Sequence, residues 1–294
     1  MDIPVVIIHN GNQLYFQDCV EINALSNRVY LIGDDSNQSC QSNRTDHFLC
    51  DAFMTDELSR FRNCFSNYSG NPHAFEFNCF ARMFYLKQFM LTHHLDRVFH
   101  LDSDCILLDN IGRLLSLCLP DVVARNGIAY SKNKSDNPWH MVGCVHNALL
   151  TLDFCEAFIQ LCFDVYENRS KFHWVEPKIR WHIENKIGGG ICDMTLYYLL
   201  FTNCLLEVVD LNDLVIVDGE RCIFDHNINI SYGYLGDDTF VMSRNVKKII
   251  MESGKFYAFD KNGSAIRLLS IHFSGVEAKS LLRDAHKLIF GQTG

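Results

Sequence analysis

The segment Arg97–Leu108 constrains the fold and the chemistry of this chain more than any other. Its largely apolar start, Val98–Leu101, predicts a buried strand, and two carboxylates, Asp102 and Asp104, follow one residue apart. Side chains at i and i+2 of an extended segment point the same way, so these carboxylates can share one point past the strand end. Mg²⁺ or Mn²⁺ held by one or two carboxylates keeps open positions, which substrate phosphates fill. The segment therefore predicts a divalent metal site for a phosphate-bearing substrate.

An Asp-x-Asp tripeptide also occurs often in surface turns, so its context matters. This one is the only D-x-D in the chain, and the apolar Ile106–Leu108 follows it directly, which argues against a solvated loop tip. Two like charges at a buried strand end repel each other and lose solvation unless a cation joins them. A structural pair of carboxylates without metal remains the alternative.

The start of the chain, residues 3–32, has the pattern of a β-α-β unit. Ile3–Ile8 predicts a strand, Tyr15–Leu25 a helix, and Arg28–Ile32 a second strand. Such units build parallel sheets, whose ligands gather outside the carboxyl ends of the strands. We expect an α/β fold: a single Rossmann-like domain over residues 1–294, with a mostly parallel central sheet flanked by helices.

Other segments give weaker or purely structural signals. Residues 36–75 are polar and weakly periodic, which predicts loop with short helical pieces. Apolar residues at helical spacing predict helices over Phe77–Leu95 and Leu150–Val165. The sequence contains no internal repeat and no clear linker, which favours one domain.

Composition excludes some partners and indicates a compartment. The net charge of −9, without a long basic run, argues against a broad nucleic-acid surface. Thirteen cysteines without a C-x-x-C pair, most of them in apolar runs as Cys105 and Cys204 are, predict buried thiols rather than a zinc or disulfide framework. Met1–Ile8 lacks the basic start of a signal peptide, and no apolar run is long enough to span a membrane. We expect a cytoplasmic protein.

From its first strand, through Gly33–Asp35 and Asp102–Asp104, to the late His272–Gly275, the sequence resembles the GT-A-fold, nucleotide-sugar-dependent glycosyltransferases. In those enzymes the D-x-D motif holds Mn²⁺ or Mg²⁺ on the donor diphosphate, and the first two strand ends receive the nucleoside. The resemblance implies that Asp102 and Asp104 bind the metal. The residues it assigns to the rest of the nucleotide are His9, Asn10, Gly11, Asp34, Asp35 and Ser103.

The segment Ile271–Gly275, followed by Lys279, is similar to the C-terminal segment of retaining enzymes of the glycogenin and lipopolysaccharide galactosyltransferase type. There a histidine completes the metal site, and a glycine and a lysine bind phosphate. The resemblance implies these roles for His272, Gly275 and Lys279. The spacing departs from the pattern, since Lys279 lies four residues after Gly275 instead of three, and Ser280-Leu281 stands where Pro-Trp is common. A core histidine is the alternative for His272, and the role of Lys279 stays open.

Two further charged residues are candidates. Three glycines, Gly188–Gly190, precede the apolar run Leu196–Phe201, so Asp193 at the start of this predicted helix can approach a substrate as an acid or base. Its alternative is a charge that only stabilises the helix N-terminus. Arg82, in the helix before the D-x-D strand, is expected to pair with the diphosphate or with Asp102, unless it is a solvated surface arginine.

Together, the motif and the resemblance imply a hexosyl- or N-acetylhexosaminyltransferase. It would use a UDP-sugar and Mn²⁺ or Mg²⁺, with a glycan, lipid or protein hydroxyl as acceptor. Residues 1–110 would form the nucleotide-binding half and residues 111–294 the acceptor-binding half. One alternative is a sugar nucleotidyltransferase, against which the loop His9–Gln13 argues because it has no basic residue for a triphosphate. The other is a catalytically silent relative that binds a nucleotide or glycan. No nucleic-acid partner or transmembrane segment is expected, and peripheral membrane association stays open.

Overall fold

The computed structural model describes residues 3–118, 126–130, 140–229 and 239–291. In chain order, the first half contains β1 (Val5–Ile8), α1 (Phe16–Ser26), β2 (Val29–Gly33), β3 (Thr45–Leu49), α2 (Asp56–Cys64), α3 (His73–Thr92), β4 (Arg97–Leu101), β5 (Cys105–Leu107), α4 (Ile111–Cys118) and β6 (Asn126–Tyr130). Short 3₁₀ helices, Asp35–Cys40 and Cys50–Phe53, flank β3. The second half contains β7 (Gly143–Thr151), α5 (Leu152–Tyr166), α6 (Phe172–Asn185), α7 (Asp193–Thr202), β8 (Val208–Asp210), β9 (Val215–Val217), β10 (Glu220–Phe224), β11 (Met242–Ser243), β12 (Val246–Lys247), β13 (Ile250–Glu252), β14 (Lys255–Phe259), β15 (Ala265–His272) and α8 (Val276–Phe290).

The main sheet has the strand order β3-β2-β1-β4-β7-β6-β8. Strands β3, β2, β1 and β4 are parallel neighbours, β7 is antiparallel to both β4 and β6, and β8 is parallel to β6. The expected α/β fold with a mostly parallel sheet is therefore confirmed. The parallel arrangement brings the carboxyl ends of β1, β2 and β4 to the same edge.

A second sheet forms around β15, which is parallel to β10 and antiparallel to β14 and β5. The chain passes from the main sheet to this sheet through the turn between β4 and β5, and that turn is Asp102–Asp104. In the pairing of β5 with β15, Cys105 lies opposite His272. The register of the second sheet thus brings His272 next to the D-x-D turn.

Helices pack on both faces of the main sheet. Helix α3 contributes the fully buried Phe80, Phe84 and Phe89 to the largest apolar cluster, which also includes residues of α2, α5, α6 and α7. Burying one such ring contributes about 1.5–3 kcal/mol. Helices α1 and α4 cover the opposite face, and α8 packs with α1 against the second sheet. The strand ends at the D-x-D turn are therefore held from several directions.

Several expectations about local structure need correction. The segment 36–75 contains strand β3 and helix α2 besides loop, because β3 is a partly exposed edge strand whose polar residues hide it. Leu150 belongs to β7, and helix α5 begins two residues later because Thr151 caps it by accepting a hydrogen bond from Phe154 N at 3.3 Å. Cys204 is exposed, since it lies in the turn after α7 with a positive φ of 53°.

The helices described in the structure include none with the length and apolar character needed to cross a membrane.

Candidate active site

A cavity of about 1070 Å³ opens at the carboxyl ends of β1 and β4. Residues of α3, of α6 and of the starts of α7 and α8 also line it. Within the described residues, the sequence-predicted residues that line it are His9, Asn10, Arg82, Asp102, Ser103, Asp104, Asp193, His272, Gly275 and Lys279.

Backbone hydrogen bonds fix the D-x-D turn against both sheets. Asp102 N donates to the carbonyl of His146 on β7 at 2.7 Å, and Phe273 N donates to the carbonyl of Asp104 at 2.8 Å. The chain reverses within the turn, where Cys105 N donates to Asp102 O at 3.0 Å. Asp102, Asp104 and His272 each offer a ligand atom, and these atoms lie within 4.8 Å of one another.

The orientation of His272 is set by a carbonyl group. Its Nδ1 lies 2.6 Å from the carbonyl oxygen of His226, and because a carbonyl only accepts, Nδ1 carries the hydrogen. Nε2 then faces Oδ1 of Asp104 at 3.3 Å. Burial lowers the pKa of His272, but Asp104 outweighs this effect and raises it above the usual value. Either a proton or a metal ion between Nε2 and the carboxylate thus satisfies both groups.

Asp104 also contacts Lys279, whose Nζ lies 3.1 Å from Oδ2. Burial would raise the pKa of Asp104, but His272 and Lys279 hold it at about 2, so the group is an anion at neutral pH. Lys279 lies in the first turns of α8, and Gly275 precedes this helix. A helix N-terminus beside a lysine favours a phosphate group.

Arg82 joins the D-x-D turn to the start of α7. Its guanidinium contacts Asp102, as the sequence suggested, and also binds Asp193 Oδ2 at 2.8 Å. The side chain of Asp193 is only 5% exposed. Burial raises the pKa of Asp193 although Arg82 opposes the shift, whereas Arg82 lowers the pKa of Asp102 against the effect of burial. Arg82 therefore holds two carboxylates of unequal acidity on one wall.

The residues predicted for the nucleoside divide into two groups. His9 and Asn10 line the cavity, and the ring of His9 packs at 4.1 Å from that of Phe16. Gly11 and Asp34 are joined by a hydrogen bond from Gly11 N to Oδ2, at 2.7 Å. Asp34 also caps the 3₁₀ helix Asp35–Cys40, and Asp35 is exposed. In the described residues, Gly11, Asp34 and Asp35 lie outside the cavity lining, so their nucleoside role stays a prediction.

Two buried charged residues of the cavity wall were missed by the sequence analysis. Glu76 of α3 is 2% exposed; Asn71 donates to its Oε1 at 2.6 Å, while Oε2 has no hydrogen-bond partner among the described residues. Lys178 of α6 donates to Met141 O and Thr195 Oγ1, each at 3.0 Å. Burial raises the pKa of Glu76 and lowers that of Lys178. The sequence feature that could have revealed such residues is a charged residue at a helix position whose neighbours at helical spacing are apolar.

The glycines before α7 allow a close chain contact. Gly190 has φ of 140°, and a Cβ at this position would lie 1.9 Å from Tyr68 O. Gly189 also has a positive φ, and both glycines line the cavity beside Asp193. The glycines therefore allow the segment before α7 to lie against Tyr68, and the approach of a substrate to Asp193 stays a prediction.

Comparison of the sequence with models of protein families finds no match, and comparison with curated proteins finds none either. Solved structures with some likeness include mouse xyloside xylosyltransferase 1, with a TM-score of 0.45 and 13% identity over 72% of this chain and 86% of that one. A glycosyltransferase involved in glycosylation of the major capsid of PBCV-1 has a TM-score of 0.42 and 10% identity over 97% of this chain and 100% of that one. The glycosyltransferase GlyE of Streptococcus pneumoniae TIGR4 has a TM-score of 0.40 and 18% identity over 72% of this chain and 45% of that one. All three are glycosyltransferases by name, but their TM-scores lie below 0.5, so this likeness does not assign a function to the chain.

Proposed function

We propose that this chain is a metal-dependent glycosyltransferase that moves a sugar from a nucleoside diphosphate, with a UDP-sugar as the expected donor, to a hydroxyl of a glycan, lipid or protein. The observation that carries the proposal is the convergence of Asp102, Asp104 and His272 at the edge of a cavity of about 1070 Å³. Ligand sites are commonly about 300–1,000 Å³, so the cavity has room for a nucleotide sugar.

The donor set of this cluster fits a divalent cation. Two carboxylates and one imidazole suit Mn²⁺ better than Mg²⁺, which prefers oxygen ligands. The hydrogen bond from His272 Nδ1 to a backbone carbonyl is the outer contact that orients histidines toward metals. When bound, the cation would stabilise the negative charge on the departing nucleoside diphosphate.

The remaining charged residues have complementary tasks in this proposal. Lys279 and the N-terminus of α8 would bind the phosphates on the side of Asp104. Asp193 and Glu76 would face the sugar or its acceptor, where a carboxyl group with a raised pKa can exchange a proton. Arg82 would keep Asp193 in place through its 2.8 Å ion pair.

A panel of nucleotide sugars tests the proposal, with release of nucleoside diphosphate measured in Mn²⁺, in Mg²⁺ and in chelator. We expect metal-dependent release from at least one donor and transfer to hydroxyl acceptors. Asp104→Ala should lower kcat/KM by roughly two to four powers of ten, corresponding to several kcal/mol of lost charge stabilisation. Asp284→Ala is the matched control, because Asp284 is exposed on α8 and pairs only with Lys287 among the described residues.

The alternatives give different products in the same assay. A silent binding protein would leave every donor intact while still binding the nucleotide. A sugar nucleotidyltransferase would release pyrophosphate from a nucleoside triphosphate and a sugar phosphate. Near-normal turnover of Asp104→Ala would exclude the metal role of the D-x-D turn.

A further inference from the structure

A second cluster of metal-binding side chains lies next to the D-x-D site. Cys144, His146 and His226 each offer one ligand atom, and these atoms lie within 4.8 Å of one another. Cys144 and His146 are two residues apart on β7, so their side chains share one face of the strand. His226 comes from the segment after β10. The tertiary fold, rather than proximity in the sequence, thus brings His226 to the other two residues.

The cluster contains a buried nitrogen that the described residues leave unsatisfied. His146 is 0% exposed, and its Nδ1 lies 2.6 Å from Cys144 Sγ. Its Nε2 has no hydrogen-bond partner among the described residues. A buried polar atom without a partner is costly, and a bound metal ion is one way in which proteins compensate that cost.

The imidazole rings of the two histidines in the cluster lie close together. The ring of His146 lies 4.1 Å from that of His226 and 4.2 Å from that of His272. The neutral imidazole is the form that binds metals, and it does so through a nitrogen lone pair. The geometry therefore offers two imidazole ligands and one thiol.

We propose that Cys144, His146 and His226 form a second metal site, separate from Asp102, Asp104 and His272, that takes Zn²⁺. One thiolate and two imidazoles suit zinc, whereas Mg²⁺ and Mn²⁺ prefer carboxylate oxygens. Binding exchanges the thiol proton of Cys144 for the metal, so one proton is released to solvent. Three protein ligands leave a fourth position for water or another group. Since Cys144 and His226 line the cavity, such a group can come from the cavity.

The first test uses the wild-type protein alone. X-ray absorption of the chain loaded with one equivalent of zinc should show one sulfur at about 2.3 Å and nitrogens at about 2.0–2.1 Å. A shell made only of oxygen and nitrogen would overturn the proposal. Because no variant is involved, this measurement does not depend on whether a substituted protein folds.

The second test assigns the sulfur. Chelator-treated protein titrated with Co²⁺ should develop the near-ultraviolet absorption of a thiolate–cobalt bond. Cys144→Ser should lose this band. Its affinity for zinc should also fall by more than the roughly 10–100-fold that the loss of an outer-shell partner costs. Cys192→Ser is the matched control, because Cys192 lines the same cavity outside the cluster.

Asp104→Ala distinguishes cobalt binding at the cysteine-containing cluster from binding at the D-x-D turn. This variant should keep the cobalt–thiolate band. Persistence of the band in Cys144→Ser, or its loss in Asp104→Ala, would overturn the proposal. Circular dichroism of each variant shows whether the fold is retained. These outcomes do not depend on glycosyl transfer, so the zinc site and the proposed function fail or stand independently.

Discussion

Replacing Arg82 with methionine should destabilise the metal-free protein strongly. The side chains of Arg82, Asp102 and Asp193 are 18%, 25% and 5% exposed, and the guanidinium contacts both carboxylates. Removing one partner of a buried ion pair leaves an uncompensated charge and costs about 3–5 kcal/mol. Total stabilities are about 5–15 kcal/mol, so the loss would be a large fraction of the total. Most of the cost should come from Asp193, because Asp102 retains more contact with water.

Urea unfolding in chelator measures this effect, since a cation bound at Asp102 would otherwise replace the missing charge. In a double-mutant cycle, Asp193→Asn should cost less in the Arg82→Met protein than in wild type, because it removes a charge that has lost its partner. Arg82→Lys should lie between the two, since an ammonium cannot bridge both carboxylates as a guanidinium does. Arg180→Met is the matched control, because the Arg180–Glu176 pair on α6 is exposed and its loss should move the midpoint little. A loss below about 1 kcal/mol for Arg82→Met, which is the range of an exposed pair, would contradict this prediction. Strict additivity of Arg82→Met and Asp193→Asn would contradict it as well.

Three other residues of the cavity wall, His272, Glu76 and Gly190, can be tested in the same way. Because the pKa of His272 is raised, protons compete with Mn²⁺ for its Nε2. The affinity for Mn²⁺, measured by calorimetry, should therefore rise with pH through a midpoint above about 6.5, and His272→Gln should flatten this pH dependence. Burial raises the pKa of Glu76, so the free energy of unfolding of the wild-type protein, compared with that of Glu76→Gln, should be higher at low pH and should fall as pH rises through that pKa. Urea unfolding of both proteins at about pH 4 and about pH 8 measures this difference. Gly190→Ala should lower Tm, because its φ of 140° and the contact with Tyr68 O cost about 1–3 kcal/mol or more, whereas Gly188→Ala, with open space at Cβ, should not.

Local patterns in the sequence were sufficient to predict the position of the site residues that lie at strand and helix ends. The apolar run before Asp102 predicts a strand, and the strand ends there. The glycines before Asp193 predict a helix start, and α7 begins at Asp193. In each case the signal and the structural feature are separated by only a few residues. Short-range chemistry therefore determines where these carboxylates lie along their own elements.

The residues that pair across sheets could not be found in this way. The antiparallel register of β5 and β15 places His272 opposite Cys105, and only the resemblance to a family pointed to His272. Nothing near Cys144 or His146 in the sequence indicates that His226 lies beside them. The pattern of apolar residues determines which segments become strands, but several pairings satisfy the same pattern. The partner of each strand depends on the packing of the whole chain.

The junction of the two sheets explains why the candidate site is formed there. Asp102 is fixed by the carbonyl of His146 in the main sheet, while Asp104 is fixed by Phe273 N next to β15 of the second sheet. A ligand bound by Asp102, Asp104 and His272 would therefore contact both sheets at once. Its binding free energy would oppose separation of the sheets, because a ligand that binds only the folded state stabilises that state. Conversely, any substitution that shifts the register of β5 against β15 would move His272 away from Asp104 and weaken the site without touching a carboxylate.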